Sequence, residues 1–127
     1  MPEKHLFEYA VLRVVPRVER EEFMNVGVIL YCASQGFLQT VFHVNEAKLR
    51  AFSAELDVAE IEERLQAFQR VCEGGKAGGT IGALPLASRF RWLTATRSTV
   101  VQTSKVHPGL CKDPIEKLKR LFAELVL

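Results

Sequence analysis

The residues whose types best suit chemistry lie between Gly74 and Lys112. This stretch carries Lys76, Arg89, Arg91, Arg97, Lys105 and Lys112 and no Asp or Glu. At its centre, Arg89-Phe90-Arg91-Trp92-Leu93 interleaves cations with the chain's single tryptophan. Arginine forks grip carboxylate or phosphate, and a neighbouring tryptophan stacks on a base or anchors a protein interface. Three readings stand side by side. Phe90 and Trp92 fill a core while the arginines pair with acids elsewhere; the segment meets a partner protein; or it binds nucleic acid or another phosphate ligand.

Ser104, His107 and Asp113 follow and have the residue types of a hydrolytic triad, but no nucleophile-elbow glycines surround the serine. His107 and Cys111 stand four apart, with Pro108-Gly109 between them. That dipeptide reads as a turn and breaks the helix that would aim both at one metal. No metal and no cofactor is expected. Gly74, Gly75, Gly78, Gly79 and Gly82 around Lys76 have a phosphate cradle's composition. They lack the GxxxxGK[ST] spacing and follow a helix instead of a strand, so they read as a mobile connector.

Several elements must position these residues. Leu6 to Val15 is a strand of aromatic and β-branched residues, apolar on both faces and therefore central, closed by Pro16. Arg13 interrupts it, and a mid-strand cation must reach solvent or find an anion. A charged connection leads to a second strand, Met24–Cys32, in which Gly27 predicts a bulge or a close backbone approach. A short loop ending at Gly36 returns the chain through Phe37–Val44, completing a three-stranded antiparallel meander.

Asn45 caps a short helix, and Asp57 opens an amphipathic one. The spacing of Val58, Ile61, Leu65, Phe68 and Cys72 predicts a buried stripe stopped by Gly74-Gly75. Pro85 favours a helix over Leu86–Leu93, with Leu86, Phe90 and Leu93 inward, although RFRWL also suits a strand. Thr99–Ser104 reads as a strand. Asp113 and Pro114 start a last helix with Ile115, Leu118, Phe122 and Leu125 inward and Leu121 and Val126 widening that stripe. The expected fold is α+β: an antiparallel sheet of four or five strands packed by two main helices.

Bulk properties bound the function. The 127 residues are 48% hydrophobic and 25% charged, enough for one domain with a proper core. The net charge of +2 is too small to imply general affinity for nucleic acid or membranes. Its distribution is uneven. Residues 1–73 hold eight Lys/Arg against twelve Asp/Glu, 74–112 hold six against none, and 113–127 hold three of each. No stretch approaches the ~20 apolar residues of a membrane span. Three cysteines without a CxxC pair suggest free thiols and a cytoplasmic protein.

Two blocks carry a resemblance. One runs from Tyr9-Ala-Val-Leu-Arg13 to Pro16, then Arg20, Glu22-Phe23 and Asn25-Val26-Gly27. The other is Arg89-Phe-Arg-Trp92, Gln102-Thr-Ser104, His107-Pro-Gly109 and the closing Asp113 helix. In this order they resemble the uncharacterised bacterial family called domain of unknown function 3037. The resemblance implies a small stand-alone bacterial protein, encoded near a HipA-like kinase-fold protein, and hence a non-catalytic binding or accessory role with a protein partner. It also groups Arg13, Arg20, Glu22 and Asn25 with Arg89, Arg91, Gln102, Ser104 and His107 as one polar or anion-binding site beside the sheet. Nucleic acid is the alternative ligand, a hydrolase around Ser104 and His107 the second alternative. Self-association is compatible with either, and no membrane partner is expected.

Overall fold

The structure is a computed structural model that describes residues 3–127. It is an α+β fold built on one antiparallel sheet. The strands are β1 (His5–Val14), β2 (Met24–Cys32), β3 (Phe37–Phe42), β4 (Val101–Thr103) and β5 (His107–Cys111). The helices are α1 (Glu46–Phe52), α2 (Val58–Glu73), the single turn α3 (Gly79–Gly82), α4 (Leu86–Leu93) and α5 (Pro114–Leu125). Strands run in the order β3-β2-β1-β4, and β5 continues along the same side of β1 as β4. The expected meander and the central place of β1 are both present.

The two faces of β1 belong to different cores. Ala10, Leu12 and Val14 pack with Ile61, Leu65 and Phe68 of α2 and with Phe90 and Leu93 of α4. Phe7, with Tyr9 against it, packs on the opposite side with Leu118 and Leu121 of α5. Period-two alternation sorts the strand this way, and apolar residues on both faces are what a strand covered twice requires. Each Leu or Phe withdrawn from water contributes about 1.5–3 kcal/mol.

The helix ends follow from their caps. Asn45 Oδ1 accepts from Lys48 N at 3.0 Å, Asp57 Oδ1 from Glu60 N at 3.2 Å and Asp113 Oδ1 from Ile115 N at 3.0 Å. The α2 stripe is buried throughout. In α5 Leu118 and Leu121 are buried as expected, but Ile115 is 46% exposed, because α5 lies over β2 and β3 and turns its later residues inward.

Two further expectations are corrected. Pro108-Gly109 is not a turn but the middle of β5, paired with Glu8 and Phe7. Gly109 is needed there because a Cβ would stand 2.6 Å from the Phe7 ring. The glycine-rich segment 74–82 is not an open connector. A 3-10 turn at Lys76–Gly78 and α3 fold it back, with Gly75 N donating to Gly82 O at 3.1 Å. At Gly82 a Cβ would lie 2.5 Å from the Gly75 carbonyl, so its glycine serves close packing.

Candidate functional site

The site begins with a register slip. β1 and β2 pair Leu12 with Gly27 and then Arg13 with Asn25, so Val26 is an extra residue on β2. Val26 turns into the α2 core, and its carbonyl accepts from His43 N at 2.8 Å. In unbroken register Arg13 would face Val26, and Asn25 would point to the other side of the sheet. The bulge therefore brings Asn25 beside Arg13. Gly27 makes this bulge feasible, since a Cβ there would meet Val41 O at 2.6 Å.

On its other edge Arg13 pairs with Gln102 of β4. Asn25, Arg13 and Gln102 thus form a polar row across three strands on the α5 face of the sheet. Asn25 Nδ2 donates to Leu125 O at 3.1 Å and ties the end of α5 to the row. Gln102 Nε2 donates to Thr99 O at 2.9 Å. The Arg13 guanidinium lies 3.9 Å from the centre of the Phe23 ring. None of the four ion pairs among the described residues includes Arg13. Its Nε–H and the Asn25 Oδ1 are both buried without a hydrogen-bond partner there.

Arg13, Phe23 and Gln102 line a cleft of ≈ 300 Å³ together with Val18, Glu21 and Glu22. Glu22 accepts a hydrogen bond from Arg20, which stands next door in a second hollow with Arg17 and Phe52. That bond raises the Arg20 pKa above its ordinary value. The cleft therefore presents one unpaired cation at its floor and carboxylates at its rim. It suits a ligand that brings an anionic group together with donors for the rim.

His107 and Ser104 lie farther along the same edge and differ in kind. His107 pairs with Tyr9, their rings 5.3 Å apart, and is exposed. Ser104 is buried. It accepts from Val11 N at 2.8 Å and donates to Lys105 O at 2.9 Å. These bonds mark where β1 changes partner from β4 to β5, and the hydroxyl takes the place of a missing backbone acceptor. Both of its bonds run to backbone, and none reaches an imidazole.

Arg89 and Arg91 do not join this row. The Leu86–Leu93 segment is a helix, as expected, but α4 packs on the α2 face of the sheet, away from Arg13. The single site that would unite them is therefore corrected to two separate places. Arg89 Nη1 donates to Val71 O and Cys72 O at 3.0 and 2.9 Å, and its Nε to Leu84 O at 2.9 Å. It closes the C-terminal end of α2, where helical carbonyls lack partners. Arg97 caps α4 in the same way through Leu93 O at 2.8 Å, with its guanidinium over the Trp92 ring at 4.6 Å. Burial pushes the Arg97 pKa down. Arg91 alone of the three is exposed and makes no hydrogen bond to the described residues.

Phe23, Tyr9 and the rim acid Glu21 lie outside the site expected from sequence, whereas Glu22 belongs to it. Phe23 carried a signal, as an aromatic residue closing a run of charged ones, with no apolar period to explain it.

Fold and site together define a small α+β protein with a polar row set across the central strand of its sheet. The chain belongs to the family described as protein of unknown function (DUF3037), whose profile matches residues 9–126. No curated protein and no solved structure shows significant similarity to it. Among the described residues no helix is long and apolar enough to cross a membrane, and no group of three or more His, Cys, Asp or Glu residues could hold a metal.

Proposed function

We propose that this is a non-catalytic recognition module that acts through a partner protein, holding an anionic side chain or terminus of that partner on Arg13. The observation that carries this reading is the unpaired guanidinium in mid-strand, fixed against Phe23 at the floor of a cleft whose rim holds Glu21 and Glu22. A cation without an internal partner is maintained at a cost unless something outside completes it. Glu21 at the rim, which forms no ion pair among the described residues, favours a protein ligand that brings its own donors over a polyanion. The backbone bonds of Ser104 favour binding over hydrolysis, because its proton and an acceptor site are already engaged.

Co-expression with the kinase-fold protein that the family resemblance places beside it tests this reading. The two should co-purify, Arg13→Gln should abolish the complex and Arg91→Gln should leave it intact. No complex, or one sensitive to Arg91→Gln alone, would reject the proposal. The competing nucleic-acid reading rests on Arg91, Lys105 and the exposed Trp92. It requires binding that weakens steeply as salt rises.

A further inference from the structure

A second surface lies on the other side of the sheet. β1 and β5 form a ribbon in which Leu6 pairs with Leu110 and Glu8 with Pro108. One side of this ribbon is sealed, because Phe7 packs onto Gly109 and is 3% exposed. The other side is bare. Leu6 is 61% exposed and Leu110 62%, and Val106 beyond them is 37% exposed. The helices α2 and α4 cover Ala10 to Val14 and stop short of this end. A lone exposed leucine is ordinary, but two in a direct cross-strand pair make a continuous apolar step.

The surroundings say what fits there. Leu110 lines a hollow with Lys4, Lys112, Lys117 and Arg120, against Asp113 and Glu116. Asp113 is already engaged in capping α5. The hollow's four cations outnumber its two carboxylates, so it fits a partner that brings acidic groups. The free edge of β5 does not invite another strand. Val11 and Val15 bond toward the β4/β5 side, so by strand alternation Pro108 turns its nitrogen outward, where it offers no N–H.

We infer that the Leu6–Leu110 ribbon is a docking surface for an amphipathic helix of a partner protein. The apolar face of that helix lies on the two leucines and its acidic end meets Lys4 and Lys112. This surface is independent of the Arg13 cleft, which opens on the opposite face. The test places the photo-crosslinking residue p-benzoylphenylalanine at position 110 of the full chain in its native cell, with position 39 on the exposed edge of β3 as control. The proposal expects one dominant adduct, mapped to an acidic amphipathic segment. Its yield falls about tenfold in a Lys4→Glu, Lys112→Glu double variant, which alters only exposed side chains, and persists in Arg13→Gln. Crosslinks to a second copy of the chain, to a neutral or basic segment, or no yield above the position-39 control would overturn it. So would an adduct indifferent to the lysine reversals.

Discussion

Arg13 and Asn25 face each other across the slipped register between β1 and β2, and each keeps a buried polar atom without a partner. One is a donor, the other an acceptor. An orphaned buried polar group costs about 1–3 kcal/mol, and the bulge that brings the pair together breaks the sheet ladder as well. Local rules broken in mid-sheet, here with only Val26 gained by the core, are expected where a protein serves function over stability.

The stability of an Arg13→Met variant follows from this. Methionine keeps an apolar stem against Phe23, loses a cation–π contact of about 0.5–1 kcal/mol and removes the orphaned donor. Urea unfolding should therefore show a stability within about 1 kcal/mol of the parent, or above it. A loss beyond about 2 kcal/mol would make Arg13 a structural residue.

Ser104 should behave in the opposite way. Ser104→Ala strands the Val11 N–H inside the sheet and should cost about 1–3 kcal/mol. Partner binding should be unchanged at temperatures where the variant remains folded. Chemical denaturation paired with a binding assay separates the two effects.

Arg89 should act as a cap, not as a ligand-binding cation. Arg89→Ala should lower stability by about 1–3 kcal/mol, and Arg89→Lys should recover little, because one guanidinium spans carbonyls of Val71, Cys72 and Leu84. Since its partners are carbonyls and not carboxylates, the loss should depend weakly on salt. Thermal melts at low and high ionic strength check this.

Cys72 gives a pH dependence. Its thiol is buried on α2, 2.9 Å from Thr40 Oγ1, and burial pushes its pKa up to about 11. The folded state therefore holds its proton more tightly than the unfolded chain, whose thiol titrates near 9. The stabilisation is full below about pH 9 and is lost as pH rises toward about 11. It is on the order of 2 kcal/mol. Cys72→Ala should flatten this alkaline decline in denaturation midpoints.

Much of the fold was legible because its signals are local. The meander, the capped α2 and the helix at 86–93 follow from periodicity, a cap and a proline. What failed was non-local. Gly109 looks like a turn residue until Phe7, about a hundred positions earlier, is seen to occupy the space a side chain would fill. The cationic segment looks like one surface because consecutive charges count alike in a sequence. Folding spends Arg89 and Arg97 on helix ends and leaves Arg91 and His107 on opposite faces. Arg13, Asn25 and Gln102 stand out in the sequence as polar residues inside apolar elements, but only the bulge at Val26 explains why they align.

The most direct test of the recognition role is the Arg13 side-chain Nε–H resonance, followed by proton–nitrogen NMR while the co-purifying partner is added. Binding through the cleft predicts a marked shift of this signal together with the Gln102 side-chain amide, and unchanged resonances on α4. A partner that shifts the α4 amides around Arg91 and leaves Arg13 unmoved would contradict the account.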